Sequence, residues 1–264
     1  MLFLRSLVFN LLFYVGTLVI MILLSPVFLL PRKWAYKVVP TWSYFNFFLL
    51  RYICNVNSEV KGWENIPEGG CIIAAKHQSA WETFALFPGL SNATFILKAE
   101  LRKIPLFGWY IWKLKQIPVN RGRKGVALAQ MSQKAKEAIA ESRQIIIFPE
   151  GTRRPAGAEP KYKYGIVHLY KTLNCPVVPV ALNSGVYWPR RRFFRLPGTI
   201  TAQILPPIQP GLEPEVFLKT LTDKIETASN TLFDQAAEKT PDNFIVKEAL
   251  AKRKLNSGNG ENIN

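Results

Sequence analysis

The chain contains two histidines, His77 and His168, so imidazole chemistry has only these two candidates. His77 lies in AAKHQSAWETFAL, residues 74–86, directly after the apolar run CIIAA, and Glu82 follows it five positions on. A carboxylate bonded to one ring nitrogen fixes the imidazole tautomer and stabilises the imidazolium formed when the other nitrogen takes a proton. His77 is therefore a candidate general base and Glu82 its partner. The same residues admit a second reading. Ser79-Ala80-Trp81-Glu82 has the S-x-x-E form of a capping box, in which the serine caps a helix and the glutamate reaches back to the cap amide. Local spacing leaves both readings open. His168, inside YGIVHLYKTL, follows an amphipathic helical pattern and reads as a packing or surface residue.

A second cluster is IIIFPEGTRR, residues 145–154, an apolar strand that delivers Glu150, Gly151, Thr152, Arg153 and Arg154 into one turn. Guanidiniums bind phosphate through paired hydrogen bonds, and turn amides beside a glycine add further donors. A solvated basic loop is the plainer alternative. QIPVNRGRKG, residues 116–125, ends another short strand with Asn120, Arg121 and Gly122. If that strand neighbours the others, Arg121 points into the same crevice. In CPVVPVALNSG, residues 175–185, Pro179 interrupts an apolar run, which indicates an edge strand or one bent near a site.

These turns need a scaffold. Short apolar runs at 71–75, 94–98, 116–119, 144–148, 177–182 and 199–205 read as strands. Between them lie helical patterns. One covers 124–142, with Val126, Ala129, Ala135, Ala138 and Ile139 as its apolar stripe. Another covers 214–239, opened by Pro214, with Phe217, Leu221, Ile225, Leu232 and Phe233 inward. Alternation of this kind implies an α/β domain with a largely parallel sheet flanked by helices. Ligands in such sheets bind at the carboxyl ends of the strands, where His77 and FPEGTRR both fall.

From Leu7 to Leu30 the chain carries no charge, long enough as a helix to cross a hydrocarbon core. It reads as a retained anchor, since no small-residue cleavage site follows. Arg32, Lys33 and Lys37 come after it and bias the remainder to the cytoplasmic side. TWSYFNFFLLRYIC, residues 41–54 and bounded by Pro40, reads as an interfacial helix folded back beside the first, with a buried core helix as the alternative. The resulting organisation is 1–57 anchoring helices (span or hairpin), 58–240 α/β domain, and 241–264 a polar tail without fixed structure. Of 264 residues, 34 are basic and 18 acidic, a net charge of +16 that calls for an anionic partner. YWPRRRFFRLPG, residues 187–198, suits a surface resting on anionic headgroups or an acidic carrier protein, and no nucleic-acid motif accompanies it. Cys54, Cys71 and Cys175 are too few and too scattered for a disulfide framework or a zinc site, and read as reduced packing residues.

HQSAWE, VNRG, FPEGTRR and VVPVALNSG, in this order, resemble the four blocks of the glycerolipid acyltransferases, with bacterial 1-acyl-sn-glycerol-3-phosphate acyltransferases the nearest likeness. The resemblance covers residues 60–210. It implies that His77, supported by Glu82, is the base for the free hydroxyl of a lysophospholipid, which attacks an acyl thioester. It implies that Arg121 and Arg153 hold the acceptor phosphate, with Ser79, Glu150, Gly151 and Thr152 shaping the acceptor site. It implies no cofactor and no metal, acyl-CoA or acyl-acyl carrier protein being a co-substrate, and partners limited to the phospholipid membrane, the lysophospholipid acceptor and that donor. The location implied is the cytoplasmic face of a bacterial inner membrane. The chain has no G-x-S-x-G nucleophile elbow, so no acyl-enzyme is required. It departs from the pattern twice: Glu82 replaces the commoner aspartate, and Lys76 stands where asparagine often precedes the histidine. Lysine there is open to two readings, phosphate binding or like-charge action on His77. Acylation of another lysolipid, such as a lyso-ornithine lipid, and a non-catalytic basic membrane-binding module are the alternatives.

Overall fold

The computed structural model describes residues 1–120 and 124–260. Two helices, α1 (Leu2–Leu23) and α2 (Arg32–Cys54), form a hairpin that leads into β1 (Val56–Lys61). Then follow β2 (Cys71–Ala75), α3 (Glu82–Ala85), β3 (Ala93–Lys98), α4 (Phe107–Lys113), β4 (Ile117–Val119), α5 (Lys124–Ala140) and β5 (Gln144–Ile147). The chain ends with α6 (Gly165–Leu173), β6 (Val177–Leu182), α7 (Ser184–Tyr187), β7 (Gly198–Ile204), α8 (Pro214–Lys239) and α9 (Phe244–Gly260). The sheet order is β1-β7-β6-β2-β5-β3-β4. Every pairing is parallel except β6 with β7. The expected largely parallel sheet is present, with β1 as a strand the apolar pattern did not announce.

The central strands β2, β5 and β6 are buried on both faces, which is why they read as continuous apolar runs. Alternation along β2 divides the core. Ile73 and Ala75 join Trp81, Phe84 and residues of α2 and α9 on one face. Ile72 and Ala74 join α5, α6 and α8 on the other, where Phe217, Leu221 and Ile225 are fully enclosed. Each such side chain stabilises the fold by roughly 1.5–3 kcal/mol. The stripe of α5 is rotated from the one expected. Ala127, Met131, Ala135 and Ala138 are buried, the last three in the core beneath the sheet, while Val126 is exposed.

Pro179 does not mark an edge, since β6 lies between β7 and β2. Its carbonyl accepts from the Leu205 N–H at 2.9 Å, so its missing donor faces the same side, just past the end of β7 at Ile204. As a proline it offers no N–H to Leu205, and the bond it cannot make falls at the margin of the ladder rather than within it. Pro40 likewise does not bound the second apolar helix: α2 runs through it from Arg32, and packing against α1 and the domain offsets the lost hydrogen bond. Within the tail expected at 241–264, Phe244–Gly260 form α9 with Ile245, Val246 and Ala249 in the core, and 261–264 lie outside the described residues. Cys54, Cys71 and Cys175 are free and buried, and burial pushes the Cys71 thiol up to about 12.

The hairpin is tied at two levels. Gly16 lets α1 approach α2 so closely that a Cβ there would lie 2.4 Å from the Phe45 ring, and Trp42 Nε1 donates to Thr17 Oγ1 at 2.9 Å. The first turns of α1 dock on the segment before β7. Arg195, 6% exposed, donates to Asn10 Oδ1 (2.7 Å) and to the carbonyls of Arg192, Phe193 and Phe194, over the rings of Phe9 and Trp188. The Arg195 N–H donates to Ser6 Oγ at 3.0 Å. YWPRRRFFRLPG is thus partly a seat for α1: Tyr187, Trp188 and Leu196 are buried, while Arg191, Arg192 and Phe193 face out. Replacing Arg195 by Met strands several buried acceptors, and the protein in detergent should lose roughly 3 kcal/mol of stability. A thermal melt equal to that of the parent protein would show that the seat is not needed.

Candidate active site

β6, β2 and β5 lie side by side, so the turns that follow them meet at one point. β2 delivers His77, β5 delivers residues 148–154, and β6 delivers Ser184. The His77 Nδ1 atom lies 2.9 Å from Glu82 Oε1. An ionised carboxylate only accepts, so Nδ1 carries the proton and Nε2 is left with its lone pair for a substrate. The His77 side chain keeps 15% exposure while that of Glu82 has none.

Glu82 is held by many donors. Its Oε1 also accepts from the N–H groups of Gln78 (2.6 Å) and Ser79 (2.7 Å), and its Oε2 accepts from the hydroxyls of Ser79 and Ser184, both at 2.8 Å. Burial acts to raise this carboxyl, yet the hydrogen bond and charge of His77 and the Ser79 N–H outweigh it and hold the group below the ordinary range. Ser79 Oγ in turn accepts from the Trp81 N–H at 2.9 Å. One half of a capping box is present, since Glu82 Oε1 accepts from the Ser79 N–H while the Ser79 hydroxyl takes the Trp81 N–H, and the same carboxylate binds the histidine. The two readings describe one arrangement.

The loop after β5 secures the other sides of His77. Its ring stacks on Phe148 with centroids 4.0 Å apart and planes at 13°. The His77 N–H donates to Glu150 Oε2 at 3.0 Å, and its carbonyl accepts from the Arg154 N–H at 2.7 Å. Gly151 has φ of 67°, a left-handed turn that exposes Thr152 and Arg153. Arg190 donates to the Arg153 carbonyl at 2.5 Å, gathering Arg153, Arg154, Arg190 and Arg191 beside the histidine turn. Desolvation first, then the charges of those three neighbours, lowers Arg190 below the usual arginine value.

The residues expected at the acceptor divide into three sets. Gly151, Thr152 and Arg153 lie on the turn that opens beside His77. Ser79 and Glu150 are buried and engaged with Glu82 and with the His77 backbone, so they shape the site from beneath. Arg121 lies outside the described residues. The strand before it, β4, pairs with β3 rather than with β2 or β5. Lys76 is 3% exposed and faces α8 rather than the opening, 2.6 Å from Glu226. Sequence reasoning did not single out Phe148, Ser184 or Gln78, whose amide oxygen accepts from the Gly185 N–H at 2.9 Å. Phe148 and Ser184 fall inside recognisable motifs, but nothing local says which side chain turns toward Glu82.

A largely parallel sheet thus carries a histidine–carboxylate pair and an arginine turn at its carboxyl edge, and comparison with known proteins gives the class. Residues 57–183 match the family model described as Acyltransferase. The 1-acyl-sn-glycerol-3-phosphate acyltransferase of Pseudomonas aeruginosa is 40% identical over 179 residues, 67% of this chain and 70% of that protein. The alpha form from Mus musculus is 28% identical over 188 residues, 69% of this chain and 66% of its own length. The crystal structure of the 1-acyl-sn-glycerophosphate acyltransferase from Thermotoga maritima superposes with a TM-score of 0.75 at 28% identity, covering 88% of this chain and 98% of that one. The chain belongs to the acyltransferase family. Within it, it is similar to the 1-acyl-sn-glycerol-3-phosphate acyltransferases.

Because folding lowers the Glu82 carboxyl, its stabilising contribution is complete above the ordinary value of 4.5 and is lost as pH falls through the lower folded value. Denaturant unfolding in detergent should show this loss below about pH 4.5 in the parent protein, and a flatter profile in Glu82→Gln, which keeps the shape without the charge. Parallel profiles would mean that the carboxylate is not ionised in the fold. Ser184→Ala, which removes one donor to Glu82, should reduce kcat about tenfold while leaving KM unchanged.

Proposed function

We propose that the protein transfers an acyl group from an acyl thioester to the free hydroxyl of 1-acyl-sn-glycerol-3-phosphate, giving phosphatidic acid. The observation that carries this reading is His77 with Nδ1 bound to a buried carboxylate and Nε2 left for the substrate, beside the 151–154 turn. As the acceptor hydroxyl attacks the thioester carbonyl carbon, its proton passes to Nε2. The C–S bond then breaks, and His77 returns the proton to the departing thiolate. Glu82 remains ionised throughout and balances the imidazolium. The Arg153 guanidinium, exposed on the turn, is the partner for the acceptor phosphate, with Arg190 and Arg191 adding positive potential. Acyl-CoA or acyl-acyl carrier protein enters as co-substrate, and no metal or organic cofactor takes part in this scheme.

The anchor suits a substrate that resides in a bilayer. Among the described residues, α1 is the one helix long and apolar enough to cross a membrane. Its first turns are bonded to the domain through Ser6 and Asn10, which favours a hairpin lying in the interface over an upright span. Leu4, Leu11, Tyr14 and Ile22 of α1 are exposed, and Leu29 and Trp34 continue that apolar surface. The α4 segment joins it. Trp109 and Trp112 are 60% and 74% exposed, Trp109 meets Phe28 edge-on, and Lys113 Nζ donates to the Phe28 carbonyl at 2.9 Å. Tryptophans at this level prefer the headgroup boundary. Arg32, Lys33 and Lys37 favour attachment to the cytoplasmic leaflet.

Purified protein in mixed micelles should acylate lysophosphatidic acid in preference to lysophosphatidylcholine or a lyso-ornithine lipid. His77→Ala should lose at least ~100-fold in kcat. Acylation of a phosphate-free lysolipid alone would overturn the acceptor, and unchanged turnover of His77→Ala would overturn the base. The attachment is tested separately. All three native cysteines are buried, so a dye on Trp112→Cys labels one site. Its emission should shift to the blue with anionic vesicles, whereas the same dye on Lys219→Cys, on α8, should not respond.

A further inference from the structure

Parity along β2 sends Ile72, Ala74 and then Lys76 to the face covered by α8, while His77 turns to the other. The Lys76 ammonium is 3% exposed and has two carboxylates beside it. Glu226 Oε1, on α8, lies at 2.6 Å, and Glu150 Oε1 lies at 3.7 Å. Tyr162 donates its hydroxyl to the same Glu226 oxygen at 2.7 Å. Glu150 Oε1 is buried and makes no hydrogen bond among the described residues, while Oε2 holds the His77 N–H. The ammonium is thus shared unequally. It rests on Glu226 and stands about 0.5 Å beyond hydrogen-bond reach of Glu150, whose Oε1 is about 1 Å farther from it than that of Glu226.

We propose that Lys76, Glu226 and Tyr162 form a positioning unit for the catalytic histidine, acting through Glu150. The inference rests on reading His77 as the base and adds Glu226 and Tyr162, which lie outside every motif of the sequence. Two consequences of the geometry give it content. First, Glu226 restrains the ammonium. Without that restraint Lys76 closes on Glu150 Oε1 and draws the carboxylate away from the His77 N–H. A displacement of about 1 Å at a reacting group can lower a rate by up to ~100-fold. Second, the unit sets the local charge. One ammonium against two carboxylates leaves a single net negative charge near the imidazole, in addition to that of Glu82. The other charged or titratable groups around this turn are Arg154, bonded through its N–H to the His77 carbonyl, Arg153 with Arg190 and Arg191 beside it, and Tyr162 and Lys163. Burial raises the Glu150 carboxyl and Lys76 chiefly opposes it, so loss of the lysine charge also endangers the ionised form that holds the His77 turn.

Glu226→Gln keeps the size and an acceptor oxygen but removes the charge. It should lower kcat about tenfold and leave KM for lysophosphatidic acid and acyl-CoA unchanged, the pattern of a disturbed base rather than of lost binding. The acid limb of the kcat/KM profile should move to lower pH, because an imidazolium with less negative surroundings releases its proton more readily. Tyr162→Phe removes only the hydroxyl on Glu226 and should show a smaller loss of the same kind. Lys76→Met strands two carboxylates together, and Lys76→Met combined with Glu226→Gln should recover part of its loss. The inference is overturned if Glu226→Gln lowers only the melting temperature, if it raises KM while kcat holds, or if the losses of the double variant simply add. An inactive His77→Ala beside an unaffected Glu226→Gln would sink this inference alone, whereas an active His77→Ala would sink the reading beneath it.

Discussion

The carboxylate of Glu82 is fully enclosed and accepts five hydrogen bonds, from a ring nitrogen, two backbone amides and two hydroxyls. An unpaired buried charge would be severely destabilising, so the surrounding chain has to supply those donors together. The supply comes from three places. Residues 77–79 form a tight turn after β2, α3 begins at Glu82 itself, and Ser184 arrives from the end of β6. The carboxylate thereby joins two neighbouring strand ends through one group. It also decides the tautomer of His77, since a carboxylate that only accepts leaves Nε2 as the free base.

Much of the remaining architecture serves to keep that group dry and that turn fixed. The face of the sheet under α2 and α9 carries Trp81, Phe84 and Trp188 around the turn. Phe148 provides a flat support for the imidazole, and Phe95 and Phe87 continue the stack toward α2 at centroid spacings of 6.1 and 5.9 Å. On the opposite face, an ionic cluster sits directly behind the histidine turn. Lys76, Glu150, Glu226 and Tyr162 are close-packed there, one residue away from the histidine and on the far side of the sheet. A period of two along a strand is enough to separate an aromatic cradle from an ionic foundation.

The hairpin of α1 and α2 has a comparable double character. One flank is bound to the domain through Arg195, Asn10 and Ser6, and the other is left apolar and exposed together with α4. Arg195 is lowered to about 10 by burial, and its donors are spent on carbonyls and an asparagine over two aromatic rings. Its task is to join the anchor to the domain. The basic run before β7 therefore combines an inward arginine that holds the anchor with outward ones that face the site and the solvent.

The sequence by itself determined the fold class, the strands at 71–75 and 177–182, the helix opened by Pro214, and the pairing of His77 with Glu82 as a question worth asking. Those features rest on local periodicity, on turn chemistry and on the scarcity of histidine, all of which a linear chain displays. The rest required distant segments to meet. Ser184 and Glu226 lie 102 and 150 positions from the residues they bind, and no local pattern records that separation. Lys76 was open to phosphate binding or to like-charge action because its neighbour in sequence is the base, and strand parity turned it to the other side of the sheet, against Glu226. Glu82 looked like either a cap or a catalytic partner because each role needs only nearby atoms. Tertiary structure merged the two roles, since a carboxylate has two oxygens and enough lone pairs to close the helix start, hold the histidine and accept Ser184 from a third element.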